Sequence, residues 1–122
     1  MRVINWFEIP VADMARARKF YETVFAITLR EENSPNGEMA IFPYTEPNTG
    51  GSLAKMDHLT PGPQGPLNYL NAGADLAPIL ARVEGAGGAI LMPKTSIGEH
   101  GDIAVFRDSE GNHIGLHSDG EG

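Results

Sequence analysis

Residues 6–25 read W-F-E-I-P-V-A-D-M-A-R-A-R-K-F-Y-E-T-V-F. The stretch places a strand, a cap and a helix in immediate succession. Val3 to Ile9 (V-I-N-W-F-E-I) is rich in β-branched and aromatic residues and predicts a strand. Asp13 stands where a helix N-cap belongs. Met14, Ala17, Phe20, Tyr21, Val24 and Phe25 then follow at helical spacing, with Arg16, Arg18, Lys19 and Glu22 mostly between them. This apolar stripe is a core-packing face, so Phe20, Tyr21 and Phe25 are read as core and not as a cofactor box.

The layout occurs twice. After the helix, Ile27 to Glu32 predicts a strand, Asn36-Gly37 a hairpin turn, Glu38 to Pro43 the returning strand, and Ser52 to Met56 a short last one. Pro61-Gly-Pro-Gln-Gly-Pro66 reads as a linker near the midpoint. Leu67 to Asn71 opens the second half as a strand. Asp75 caps a second helix, 62 positions after Asp13. Leu76, Ile79, Leu80 and Val83 give that helix its apolar face, Pro78 sits in its first turn, and Gly87-Gly88 ends it. Ala89 to Met92, Ile103 to Phe106 and His113 to His117 predict the remaining strands. The expectation is one domain over 1–122, with module one at about 1–60 and module two at about 66–118. The class is α+β: two tandem βαβββ modules forming a cupped, barrel-like mixed sheet.

Composition narrows the function. A chain of 122 residues can bury a real core. A net charge of −7 argues against nucleic acid and anionic membrane surfaces as partners. No apolar run approaches the ~18 residues of a membrane span, and no leader pattern precedes the first strand. Cysteine is absent, which excludes disulfides, thiolate nucleophiles and cysteine-ligated zinc. A cytoplasmic protein is expected. No phosphate loop or nucleophile elbow occurs. The glycines of G-A-G-G follow a helix instead of opening one.

The last strand follows a turn, and residues 108–118 read D-S-E-G-N-H-I-G-L-H-S. Strand alternation puts His113, Gly115 and His117 on one face and Ile114 and Leu116 on the other. The opening stretch resembles the I-x-V-x-D strand and cap, followed by a helix with F-Y, of the vicinal oxygen chelate superfamily. That group holds the glyoxalases, bleomycin-resistance proteins and extradiol dioxygenases. The closing F-x-D-S-E-G-N-x-I-x-L resembles the group's D-P-x-G-N-x-I-x-L, with Ser109 in place of proline, and G-A-G-G resembles the helix end of its second module. The resemblance covers nearly the whole chain. It implies paired βαβββ modules around a cleft, and homodimers.

The resemblance also implies four inward positions that supply His, Gln or Glu in metal-using members: one on the first and one on the last strand of each module. Seven residues before each capping aspartate stand Trp6 and Asn68, the final-strand position is Gly115, and the remaining one is Ser52 or Leu53. None is a His, Glu or Asp. Divalent transition metals need imidazole or carboxylate where thiolate is absent. The expectation is therefore no resident cofactor, with a relocated divalent metal kept as an alternative.

Alternation also puts Glu8 beside Trp6, Leu70 beside Asn68, and His113 and His117 beside Gly115, all facing the cup. Glu8 is the first choice for a general base, against a carboxylate satisfied near a strand edge. His117 is the second catalytic candidate, against a histidine near a frayed end. Trp6, Ser52, Asn68, Leu70, His113 and Gly115 are the ligand-binding candidates, with Gly115 expected to leave room for the ligand. His58 and the Glu99-His100 turn read as surface loops. Three functions follow from these residues. The first is a glyoxalase/bleomycin-resistance-like protein that binds a small organic ligand without the usual metal. The second is a lyase or isomerase that abstracts a proton beside a carbonyl. The third is a metal-dependent, dioxygenase-type enzyme using Glu8 with His113 or His117. The missing ligands rank the third last and disfavour an ordinary glyoxalase I.

Overall fold

A computed structural model describes residues 3–120. The first module runs β1 (Trp6–Pro10), α1 (Met14–Phe25), β2 (Arg30–Glu31), β3 (Gly37–Ile41) and β4 (Gly50–Met56). The second runs β5 (Tyr69–Asn71), α2 (Ala77–Ala81), β6 (Ala89–Ser96), β7 (Asp102–Arg107) and β8 (His113–Ser118). Each module forms one four-stranded sheet, in the orders β1-β4-β3-β2 and β5-β8-β7-β6. In each sheet the first strand pairs in parallel with the last, and the other pairs are antiparallel. The architecture is the expected α+β pair of modules, cupped and not closed into a barrel.

Register assigns the faces. Phe7 and Ile9 share a side with Gly51 and Leu53, toward the helices, whereas Trp6, Glu8 and Pro10 share the opposite side with Gly50, Ser52 and Ala54. In the second sheet Leu70 pairs with Leu116 and Tyr69 with Gly115. One continuous core joins Ile9, Leu53 and the α1 residues Ala17, Phe20, Tyr21 and Val24 to Leu76, Val83, Phe106, Ile114 and Leu116. The buried α1 positions have the i, i+3, i+4, i+7 spacing of one helical face.

Several elements differ from the sequence expectation, each for a local reason. The second strand is only Arg30–Glu31, because the backbone before it is held by helix side chains: Leu29 N–H donates to Glu22 Oε2 (2.8 Å) and Arg18 Nη2 to the Leu29 carbonyl (2.7 Å). The hairpin turn centres on Pro35-Asn36, closed by Ser34 and Gly37 bonding in both directions at 2.9 and 3.1 Å. Gly37 lies one place later, where an added Cβ would come within 2.2 Å of the Lys55 carbonyl. The second helix has five residues, since Pro78 opens it and glycines at 85, 87 and 88 make continuation costly. Asp75 does bond the Ala77 N–H at 2.9 Å, and also meets Lys94 Nζ at 3.0 Å.

The turn between β7 and β8 ties the modules together. Asp108 and Asn112 are buried at 2% and 6% exposure. Asp108 Oδ1 accepts the Glu110 and Asn112 amides, and Oδ2 accepts the Tyr21 hydroxyl at 2.6 Å and Asn112 Nδ2 at 3.0 Å. Asn112 Nδ2 also donates to the Pro10 carbonyl (2.8 Å), and its Oδ1 accepts the Gly62 amide (3.0 Å). Burial, then the neighbouring Asp108 carboxylate, push the Tyr21 phenol well above its ordinary pKa, so it stays a donor. Glu110 crosses to the start of α1. Its Oε1 accepts the Ala12 and Asp13 amides (2.8 and 2.9 Å), and it holds Arg16 at 2.7 and 3.0 Å. Asp13 itself caps the Arg16 amide at 3.0 Å. A carboxylate here meets unpaired donors and the positive end of the helix dipole together.

Tyr21→Phe removes a buried hydrogen bond to a charged group and should cost ~1.5–3 kcal/mol of unfolding free energy, measured by denaturant midpoint at unchanged slope. A loss within experimental error would show that Asp108 is satisfied without the phenol. Burial pulls the Glu110 carboxyl upward, but Arg16, the Asp13 and Ala12 amides and Ser109 outweigh it and hold the pKa at about 2. A depressed folded-state pKa gives stability that is complete above the unfolded value and lost as pH falls through the folded one. The melting-temperature gap between the natural protein and Glu110→Gln should therefore be full at neutral pH and shrink between about pH 5 and pH 2.

Candidate functional site

A cavity of about 580 Å³ lies between β1, the 60–68 linker and the start of β8. Its side-chain lining includes Trp6, Glu8, Asn68, Val105 and His113. The size suits a small organic ligand, as does a mixed lining of apolar surface and a few polar groups. Trp6 is 38% exposed and meets Tyr44 edge-on, with ring centres 5.9 Å apart. Glu8 and His113 make no hydrogen bond or ion pair among the described residues. The cavity thus brings an indole, a carboxylate and an imidazole to one place, each free to meet a ligand.

Four expected residues lie elsewhere. Leu70 turns to the core side and packs against the buried cluster, because Tyr69 and not Leu70 shares the face of Gly115. Ser52 is on the Glu8 face, as strand register requires, but is fully buried, outside the cavity lining, and its hydroxyl has no partner. Gly115 leaves no free space: a Cβ there would fall 2.5 Å from the Tyr69 ring, which covers the glycine. His117 lies four residues along β8 from His113, a separation of ~13 Å at strand rise. Its Nε2 is 2.6 Å from the His100 carbonyl, and since a carbonyl only accepts, His117 is the donor. It anchors the turn between β6 and β7, away from the cavity.

The sequence reading missed Tyr69, Tyr44 and the linker wall. Tyr69 is 46% exposed and Tyr44 42% exposed, each ring over a glycine of the neighbouring strand: Gly115 and Gly50. A glycine opposite an aromatic across the β5–β8 pair is the signal that would have found Tyr69; Tyr44 lies in the loop after β3, and neither ring lines the cavity. Gln64, Pro63 and Leu67 line the cavity from a segment that reads only as a linker. A second cavity of about 530 Å³ runs along α1 and β3, lined by Arg18, Lys19, Glu22 and Glu38, and holds none of the expected residues.

The positions that supply metal ligands in metal-using relatives do not fit a divalent ion in this chain. Trp6 and Gly115 offer no donor, Asn68 offers a weak one, and the Ser52 hydroxyl is sealed from the cavity. Among the described residues, no three His, Cys, Asp or Glu side chains converge as an alternative set.

Fold and motifs together define a protein of the Glyoxalase/Bleomycin resistance protein/Dioxygenase superfamily, and the model of that family matches residues 3–116. The chain belongs to it. It is 28% identical over 116 residues to CFP32 of Mycobacterium tuberculosis and Mycobacterium bovis, a candidate glyoxylase by its name. The match takes in 92% of this chain and 44% of the relative, so the chain spans less than half the length of those curated relatives. Among solved structures it is similar to TnmS3, an antibiotic binding protein from Streptomyces sp. CB03234, at 26% identity and a TM-score of 0.71, covering 98% of this chain and 97% of that one. It is also similar to a glyoxalase/bleomycin resistance protein from the same organism, at 27% identity and a TM-score of 0.68, over 92% and 96% of the two chains.

Gly115→Ala should force the Tyr69 ring off β8 at a cost of ~1–3 kcal/mol, typical of overpacking. In the Tyr69→Ala background the same change should cost far less. Equal costs in the two backgrounds, read by a double-mutant cycle, would contradict the packing of Tyr69 on Gly115.

Proposed function

We propose that the protein binds a small, flat organic molecule in the 580 Å³ cavity, without the usual family metal. The observation that carries this is the replacement of the ligand positions: Trp6, with its stacking surface, and Asn68 line the cavity where chelating side chains stand in metal-using members. Likeness to an antibiotic-binding protein over almost its whole length supports sequestration or sensing over chemistry. Trp6 offers the face for stacking, and His113 and Asn68 offer polar contacts. The acidic, cysteine-free chain suits a cytoplasmic homodimer in which the aromatic surface left exposed around the cup is covered.

A panel of polycyclic aromatic antibiotics, screened by thermal shift and followed by calorimetry, tests the proposal. A hit should weaken ~10-fold or more in Trp6→Ala and keep most of its affinity in Glu8→Gln. Equal affinity in Trp6→Ala would remove stacking from the account.

The Glu8 carboxylate, in the same cavity lining as His113 and with no side-chain partner among the described residues, favours one second reading, a lyase or isomerase in which Glu8 takes a proton next to a carbonyl. In that case Glu8→Gln abolishes turnover and spares binding, which separates the two readings.

A further inference from the structure

One wall of the cavity is made of backbone. β1 is an edge strand, paired only with β4. All of its residues, Trp6 through Pro10, line the cavity, including Ile9, whose side chain is 1% exposed in the core. Residues of both faces of the strand line the cavity, so the unpaired edge of the strand bounds the space. Alternation fixes which groups point there. The Val11 amide donates to the Ala54 carbonyl at 3.0 Å, so the N–H and C=O of Phe7 and Ile9 turn to β4 while those of Trp6 and Glu8 turn outward. The Pro10 carbonyl follows the same phase and is taken by Asn112 at 2.8 Å. Among the described residues, the outward N–H and C=O of Trp6 and Glu8 have no protein partner. The linker opposite is poorly made to supply one: Pro63 and Pro66 lack an N–H, and Gly62 donates its own to Asn112.

A strand edge holding a donor and an acceptor on one residue pairs with one extended residue of a peptide, whose N–H and C=O come from its two flanking amides and point to the same side. We infer that the ligand is peptide-like: one extended residue flanked by two secondary amides lies along β1, its N–H donating to the Glu8 carbonyl and its C=O accepting from the Glu8 amide, with its aromatic group against Trp6. This rests on the cavity being the binding site, and it names the ligand class that the side chains alone leave open.

The test uses the full chain, labelled with nitrogen-15, and three probes sharing one indole: N-acetyl-tryptophan N-methylamide, its Nα-methyl analogue and the ester analogue, O-acetyl indole-3-lactic acid N-methylamide. The first, which alone keeps the donor to the Glu8 carbonyl, is expected to bind ~10-fold more tightly than either analogue, the scale of one well-made hydrogen bond. It should also move the Glu8 backbone amide resonance downfield. Equal binding of all three, with the Trp6 indole resonance shifting and the Glu8 amide still, would overturn the backbone inference and leave the cavity reading standing. No shift of Trp6, Asn68 or His113 with any probe at millimolar concentration would overturn both.

Discussion

The buried Asp108 carboxylate is the constraint on which the rest of the molecule depends. It closes its own turn, accepts the Tyr21 phenol from the first helix, and holds Asn112, which in turn holds the end of β1 and the linker. Two residues on, Glu110 accepts the Ala12 and Asp13 amides just ahead of α1. A turn of the second module thus fixes the helix and edge strand of the first. The cavity forms where those pieces meet, so its geometry is set by contacts that touch no ligand. A buried polar network of this kind is stabilising only while every member is satisfied, which makes it sensitive to single substitutions.

The fold was legible because its signals are local and repeated. Asp13 followed by apolar residues at helical spacing, and the D-S-E-G-N turn before an alternating strand, each need only a few neighbours to be read. Boundaries failed where side chains captured backbone, as Glu22 and Arg18 do at Leu29, and where glycines shortened the second helix. The role of the D-S-E-G-N stretch beyond its own turn was not legible, since Tyr21 and Asp108 are 87 positions apart.

The site was legible in part. Trp6, Glu8, Asn68 and His113 line one cavity, the first two and His113 from the strand faces that alternation gives them and Asn68 from just before β5. The errors came from one register step and one assumption about glycine. Placing Leu70 in the cup required β5 to meet β8 one residue out of its actual pairing, and a one-residue slip turns a side chain to the opposite face. Gly115 was read as empty space, but in a sheet a glycine is as often the seat of a ring from the next strand, and Tyr69 takes it. At one of the positions where the family resemblance implies a metal ligand, this chain has the Trp6 indole.

The most direct test of that substitution is metal content. Protein purified without tag or chelator would be analysed for elements, then titrated with nickel, zinc and manganese while its melting temperature is followed. A metal-free cavity predicts far less than one equivalent of any transition metal and no specific stabilisation on titration. One tightly held equivalent, lost together with melting temperature on chelation, would contradict the account.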